Sequence, residues 1–241
     1  MMVREITSAT NQLIKDLVKL KQTRNAKELN QIIIEGKDLI DMAYENGLLD
    51  MVLTSNRSYS YDVQTIICPS FILEKLSSNK SISDIIGVAH LSLDNKGLGN
   101  RIVYLDGVQD PGNVGTIIRT ALAFSYDSII LSLDSASIYN EKVIQATKGA
   151  LFSIPVFFDV SLQELKEKGY QIIVTALRNA SDYKTLTPND KFVLVLGNEG
   201  QGVKEENIDI ADKVVKISMG NIDSLNVAVA GGILLNHYKK E

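Results

Sequence analysis

Five short apolar runs recur through the second half of the chain, and segments with helical periodicity lie between them. The runs that predict strands are 102–105, 128–131, 171–176, 192–196 and 214–217. The segments that predict helices are 114–125, 140–148, 161–168 and 224–238. Apolar strands that alternate with helices form a parallel sheet whose two faces the helices cover. This pattern therefore predicts an α/β domain with a mainly parallel sheet.

The first 93 residues contain shorter elements of the same two kinds. Helices are predicted around 13–20, 37–46 and 71–76, and strands at 32–34, 51–53, 66–67 and 87–93. Residues 94–100 are polar and contain two glycines, which is typical of a linker. We therefore expect a small α/β domain over 1–93, a linker over 94–100 and the larger α/β domain over 101–241.

The composition limits the kind of protein this can be. Cys68 is the only cysteine, so no internal disulfide can form. His90 and His237 lie far apart in sequence and neither has a partner at metal-ligand spacing, so no metal site is expected. The sequence shows no secretory leader and no apolar run long enough to cross a membrane. We expect a soluble, cytoplasmic protein without a bound metal.

Charge is unevenly distributed along the chain, whose formal net charge is −4. Residues 1–27 contain six basic and two acidic side chains, whereas residues 28–95 contain four basic and ten acidic ones. A basic segment on an acidic protein can contact phosphates. The alternative is the solvated face of a helix, and charge alone favours that alternative.

The segment LDGVQDPGNVGTIIRT, at 105–120, combines a strand end, a turn and a helix start. Asn113 is the expected N-cap of the following helix. Arg119 projects about 120° from the centre of that helix's apolar stripe, given the rotation per residue of an α-helix. It is therefore not needed for packing and can reach an anionic or polar substrate above the strand ends. The alternative is an ordinary solvated arginine.

The segment LGNEGQG, at 196–202, follows an apolar strand and resembles a nucleotide-binding loop only superficially. A dinucleotide fold places G-x-G-x-x-G in its first βα unit, whereas this chain has G-x-x-G-x-G on a late strand. Acidic Glu205 and Glu206 follow at once, which disfavours a pyrophosphate at the helix start. The loop suits an uncharged or cationic ligand held by backbone groups, such as a sulfonium cofactor.

The segment from 214 to 238 contains a strand, a loop at Met219, and a final helix for which Ser224 is the expected cap. Small residues crowd that helix, among them Gly231 and Gly232. Each glycine inside a helix costs about 1 kcal/mol relative to alanine. Close packing against another element or a second subunit would explain them, and a plain buried helix is an equal alternative.

In this order, the three segments resemble the SpoU (TrmH-type) branch of the SPOUT methyltransferases. That family transfers a methyl group from S-adenosylmethionine to a ribose 2′-hydroxyl of ribosomal or transfer RNA. Its motif P-G-N-x-G-x-x-x-R-T is matched at Pro111, Gly112, Asn113, Gly115, Arg119 and Thr120. Its motif L-G-N-E-G-x-G is matched over 196–202. Its third motif is matched at Ile217, Met219, 224–227, Val229 and Ala230, with a departure at Gly220, where the family often has serine before glycine.

The resemblance implies a fold and a set of partners. It implies a knotted C-terminal α/β domain (a deep trefoil knot), with a small N-terminal α/β domain that binds the RNA substrate. It also implies a homodimer, and it favours RNA contact by the basic segment at 1–27. The first residues look more like the ribosomal-RNA members than the transfer-RNA members. A transfer-RNA methyltransferase and a non-catalytic RNA-binding protein that kept the knot remain alternatives.

The resemblance also implies roles for single residues. The cofactor-binding residues would be Leu196, Gly197, Gly202, Ile217, Met219 and Leu225. The catalytic residues would be Asn113, Arg119, Glu199, Ser224 and Asn226. Arg119 would be the base or the electrostatic stabiliser of the alkoxide; of these two roles we favour the second, since a guanidinium is effectively always protonated. Asn113, Ser224 and Asn226 would orient the ribose, and Glu199 would anchor its loop or position Arg119.

Overall fold

The computed structural model describes residues 3–78, 83–91, 97–222 and 224–239. Contacts between Cα atoms divide the chain into two compact units. The N-terminal unit contains Met1–Ser92 and Ser137–Phe152, and the C-terminal unit contains Leu93–Ala136 and Ser153–Glu241. Residues 94–96 of the expected linker lie outside the described residues, as do the last two residues of the strand predicted at 87–93.

The N-terminal unit is built around a five-stranded mixed sheet. Its strands are β1 (Val3–Glu5), β2 (Gln31–Glu35), β3 (Leu49–Thr54), β4 (Gln64–Ile67) and β5 (Ile85–His90). Its helices are α1 (Gln12–Lys19), α2 (Thr23–Leu29), α3 (Lys37–Glu45), α4 (Ser70–Leu76) and α6 (Glu141–Thr147), with a 3-10 turn at Ala150–Phe152. The strand order is β1-β4-β3-β5-β2, with β5 antiparallel to both of its neighbours. Apolar side chains of α1 and α4 pack against this sheet and form its core.

The C-terminal unit contains a seven-stranded parallel sheet. Its strands are β6 (Arg101–Asp106), β7 (Ser128–Leu131), β8 (Val156–Phe158), β9 (Gln171–Thr175), β10 (Ser181–Asp182), β11 (Phe192–Gly197) and β12 (Lys213–Lys216). Its helices are α5 (Pro111–Ala123), α7 (Leu162–Glu167), α8 (Glu205–Ile210) and α9 (Val227–His237), with a 3-10 turn at Tyr183–Thr185. The strand order is β10-β12-β9-β11-β6-β7-β8. The predicted fold class, α/β with a mainly parallel sheet, is confirmed; the knot stays a prediction.

The carboxyl ends of the central strands bring the three sequence segments to one edge of the sheet. Gly197, at the end of β11, is in register with Asp106 at the end of β6. Thr175, at the end of β9, is in register with Val215 of β12. The loops that follow β6, β11 and β12 therefore start at the same edge of the sheet, although they lie far apart in sequence. Ligands of open α/β sheets bind at this edge.

Two predicted helix caps are wrong. The helix α5 begins at Pro111, whose fixed φ suits the first helical position, so the cap is Asp110 and its side chain accepts from the N–H of Asn113. The cap of α9 is Asn226, not Ser224; its Oδ1 accepts from the N–H groups of Ala228 and Val229. Asn113 and Ser224 therefore do not cap these two helices.

Several elements were not predicted because they are only two or three residues long or lack an apolar period. The helix α2 buries only Ala26, and α8 buries no residue. The strand β10 is two residues long, and β1 and β8 are three residues long. Among the described residues, no helix is long and apolar enough to cross a membrane.

Candidate active site

Loops at the carboxyl edge of the parallel sheet enclose a cavity of about 560 Å³. All six predicted cofactor-binding residues line it: Leu196, Gly197, Gly202, Ile217, Met219 and Leu225. Glu199 and Ser224, from the predicted catalytic set, also line it. The volume lies within the range of small-molecule sites, ~300–1,000 Å³. The structure thus brings residues from two of the three motifs into one cavity.

The loop after β11 is closed on itself. The backbone N–H and C=O groups of Asn198 and Gly202 bond to each other in both directions, at 2.9 and 3.0 Å. The side-chain Oδ1 of Asn198 accepts from the N–H groups of Gly200 and Gln201. A Cβ at Gly197 would lie 2.2 Å from the nitrogen of Val203, so only glycine fits there. Backbone groups of this loop therefore form the cavity wall.

Asn198 is a residue that the sequence reasoning missed. Its Nδ2 donates to the carbonyl of Gly107, at 2.8 Å, and so ties the loop after β11 to the end of β6. The sequence motif could have identified Asn198, because it lies between Gly197 and Glu199, which both have predicted roles. Arg178 was also missed; it lines the cavity from the loop after β9, whose strand had been predicted correctly.

Three predicted catalytic residues form one hydrogen-bonded chain. The Nδ2 of Asn113 donates to Oε1 of Glu199 at 2.9 Å, and the Nδ2 of Asn226 donates to Oδ1 of Asn113 at 3.0 Å. Glu199 also accepts from the backbone N–H groups of Gln109 and Asp110, each at 3.4 Å. The chain links α5, the loop after β11 and the start of α9.

The hydrogen bonds at Glu199 favour its ionised form. Partial burial opposes the charge, but the donors from Asn113 and from the backbone of Glu199 itself, Gln109 and Asp110 outweigh it and lower the pKa of Glu199. The carboxylate is therefore charged at neutral pH. It acts as a fixed acceptor that orients the Asn113 amide.

Arg119 stands apart from this chain. Its side chain is exposed on α5, as the helical periodicity predicted, while Ile117 and Ile118 beside it are fully buried. Within the described part of the chain, Arg119 has no hydrogen bond or ion pair to another residue. The guanidinium is thus free to meet a ligand. Ser224 is exposed at the cavity mouth and follows a residue outside the described ranges.

Comparison with known proteins identifies the family. The family model for SpoU rRNA methylases matches residues 100–236. The chain belongs to the SpoU rRNA methylase family. This SpoU-family chain is 30% identical over 98% of its length to the 23S rRNA (guanosine(2553)-2′-O)-methyltransferase RlmP of Bacillus subtilis strain 168, of which it covers 100%.

Solved structures agree with this membership. The AdoMet-bound rRNA methyltransferase of Sinorhizobium meliloti is 27% identical, with a TM-score of 0.87 over 98% of this chain and 97% of that one. The SpoU methyltransferase AviRb of Streptomyces viridochromogenes, in complex with AdoMet, has a TM-score of 0.82 at 21% identity, over 95% of this chain and 97% of that one. The second likeness shows the fold alone.

The cavity residues fit S-adenosylmethionine. Leu196, Ile217 and Leu225 supply an apolar wall suited to a purine ring. The acidic residues Glu199 and Glu205 line the cavity after β11. The basic residues Arg178, after β9, and Lys216, at the end of β12, also line it. A ligand that carries both positive and negative groups, such as S-adenosylmethionine, can therefore pair with side chains of opposite charge in this cavity.

Proposed function

We propose that the protein transfers a methyl group from S-adenosylmethionine to a ribose 2′-hydroxyl of ribosomal RNA. The observation that carries this proposal is the 560 Å³ cavity, because all six predicted cofactor residues line it. Glu199, in the cavity wall, accepts a hydrogen bond from Asn113, and this contact supports a substrate site beside the cofactor. Similarity to the relative named as a 23S rRNA 2′-O-methyltransferase supports ribosomal RNA as substrate.

The bound cofactor supplies an electrophilic methyl group on a sulfonium. The hydroxyl proton passes to solvent, which reaches the exposed Arg119 side chain, and not to Arg119 itself, because a guanidinium stays protonated. Arg119 stabilises the negative charge that develops on the ribose oxygen. Electrostatic stabilisation of this kind is usually the largest single contribution to catalysis. The exposure of Arg119 and its freedom from protein partners among the described residues suit this role.

The asparagine pair orients the ribose. Each Nδ2 carries two protons and uses one in the chain Asn226–Asn113–Glu199. Within the described ranges, each therefore has one N–H left for a substrate oxygen. The Oδ1 of Asn226 is already used as the cap of α9, so that side chain serves as a donor. Ser224, at the cavity mouth, offers a hydroxyl that can donate or accept. Such alignment of reacting groups is a major source of rate enhancement.

We assign RNA contact to the first 27 residues. All six basic side chains of this segment are exposed: Arg4, Lys15, Lys19, Lys21, Arg24 and Lys27. Cations at this density can bind phosphates through counterion release. The protein would then act in the cytoplasm, on RNA held by the N-terminal unit.

We also propose a homodimer formed through α9. Val229 is 53% exposed on this helix. A Cβ at Gly232, one turn further on, would meet no atom of the described residues within 4 Å, whereas one at Gly231 would lie 3.0 Å from Leu196. Packing within the chain therefore explains Gly231 but not Gly232. A second copy of the helix pressed against Val229 and Gly232 accounts for both.

The proposal is tested with S-adenosylmethionine labelled on its methyl group. The protein is incubated with ribosomal RNA or with transfer RNA from a strain that lacks its gene, and the labelled nucleosides are identified. We expect 2′-O-methylated nucleosides from ribosomal RNA only. Label in transfer RNA alone would establish the transfer-RNA alternative. Cofactor binding by calorimetry without transfer to either RNA would establish a non-catalytic protein.

A further inference from the structure

The carboxylate of Asp106 lies at the boundary between β6 and the motif loops, and no role has been assigned to it. Asp106 is 1% exposed at the end of β6, beside Gly197 of β11. A buried carboxylate is costly unless it is paired and hydrogen-bonded. The residues that pair with the Asp106 carboxylate should therefore indicate its role.

Among the described residues, the partners of Asp106 lie at the far end of the loop after β11, at Lys204, and in the first turn of α8, at Asn207. Its Oδ2 accepts from the backbone N–H of Lys204 at 2.9 Å and from Nδ2 of Asn207 at 2.8 Å. Its Oδ1 lies 3.4 Å from Nζ of Lys204, and the same Nζ lies 3.0 Å from Oδ2 of Asp134. The hydrogen bond to Asp134 raises the pKa of Lys204, which keeps the ammonium charged.

The near end of the same loop is tied to the residue after Asp106. The Nδ2 of Asn198 donates to the carbonyl of Gly107. Both ends of the loop 198–204 are thus hydrogen-bonded to the dipeptide 106–107. The loop backbone at Val203 also packs closely against Gly197, which restricts its movement. A shift at Lys204 would move Gly202, a cavity residue only two positions away.

We propose that Asp106 is a positioning residue for the cofactor cavity. It holds Lys204 and Asn207 in place, and through them it holds the backbone wall formed by Gly197 and Gly202. The inference rests on the proposed function, since it takes S-adenosylmethionine as the ligand of this cavity. Asp106 does not line that cavity and acts only through the loop.

The test compares two variants of Asp106 with a matched control. Asp106→Ala removes both acceptor atoms, whereas Asp106→Asn keeps one oxygen for Lys204 and Asn207. The control is Asp212→Ala, because Asp212 also accepts a backbone N–H, from Ile172, and pairs with a lysine, Lys166. Ile172 lies near the start of β9, at the opposite edge of the sheet from the cavity.

Two measurements are made on each purified full-length variant. Calorimetry gives the affinity for S-adenosylmethionine, and hydrogen–deuterium exchange gives the protection of peptides covering 197–207. For Asp106→Ala we expect at least a tenfold loss of affinity and faster exchange in this loop. For Asp106→Asn we expect affinity within about threefold of the unchanged protein. Asp212→Ala should leave both readouts unchanged even where its melting temperature falls.

The outcomes separate this inference from the proposed function. If the unchanged protein does not bind S-adenosylmethionine, the proposed function fails, and loop exchange still decides the role of Asp106. Unchanged exchange in Asp106→Ala overturns the inference, and so does an equal loss of affinity in Asp212→Ala. Should Asp106→Ala not fold, Asn207→Ala removes one of the two bonds to Oδ2; unchanged exchange in that variant would also overturn it.

Discussion

The Nδ2 of Asn113 donates to Oε1 of Glu199 at 2.9 Å, across a separation of 86 residues in sequence. Asn113 lies in the first turn of α5, and Glu199 lies in the loop after β11. The bond joins the part of the protein that would hold the ribose to the part that would hold the methyl donor. Because Asp110 caps α5, the Asn113 side chain is available for this contact.

We expect the effects of changing Asn113 and Glu199 to be coupled. Either Asn113→Ala or Glu199→Ala breaks the same bond, so the double variant should lose less activity than the product of the two single losses. Residues in one hydrogen-bond network couple by ~0.5–3 kcal/mol, and we expect about 1 kcal/mol here, since both side chains are partly exposed. The measurement is kcat/KM for methyl transfer in a double-mutant cycle. If the effects of the two single changes on the activation free energy were strictly additive, the bond would not contribute to catalysis.

The lowered pKa of Glu199 predicts a pH-dependent contribution to stability. In the unfolded chain this carboxyl has its ordinary pKa of 4.5, and the folded value is lower. The ionised form therefore stabilises the folded state fully above pH 4.5, and this stabilisation is lost as the pH falls through the folded pKa. Glu199→Gln lacks this contribution. Urea unfolding should show a difference between the two proteins that is constant at neutral pH and shrinks below pH 4.5; a difference that grows on acidification would contradict it.

We expect Arg119→Ala to separate catalysis from cofactor binding. Its methyl transfer should fall at least a hundredfold, or about 2.7 kcal/mol in the barrier, because the developing charge on the ribose oxygen loses its counter-cation. Affinity for S-adenosylmethionine should change little, since Arg119 does not line the cavity. Single-turnover kinetics and calorimetry measure the two quantities. Lys213→Ala, which removes an exposed cation at the start of β12, is the control and should keep full activity.

Two glycines of the motifs should respond differently to alanine. A Cβ at Gly197 would lie 2.2 Å from the backbone nitrogen of Val203, so Gly197→Ala must displace the cavity wall. In the part of the chain that the structure describes, a Cβ at Gly220 would meet no atom within 4 Å. We expect at least a tenfold loss of affinity for S-adenosylmethionine in Gly197→Ala and less than a twofold change in Gly220→Ala, both by calorimetry. The second result would also show that the departure from the family pattern at Gly220 is tolerated.

The proposed dimer is tested on the exposed face of α9. Val229→Asp places a charge in the proposed interface and should convert the dimer to a monomer in sedimentation at micromolar concentration. Leu133→Asp is the control, because Leu133 is 71% exposed on a different loop of the same unit. It should leave the assembly unchanged. A monomeric unchanged protein would refute the interface.

The apolar runs and their helical partners determined the fold class without help from tertiary contacts. Every strand predicted in the second half is present, because a buried parallel strand needs a continuous apolar run that is visible in the sequence. Elements without such a run, such as α8 and β10, escaped prediction. The resemblance of the three motifs to the SpoU family predicted six cofactor-binding residues, and all six line one cavity.

Only the tertiary structure decided which side chains touch. Asn113 and Ser224 both look like helix caps in the sequence, because a cap is recognised by residue type within a few positions. Asp110 and Asn226 take those caps in the folded chain. The contact of Asn113 with Glu199, and that of Asp106 with Lys204, depend on the register of β6 with β11. That register is set by packing between residues some 90 positions apart, and no local pattern encodes it.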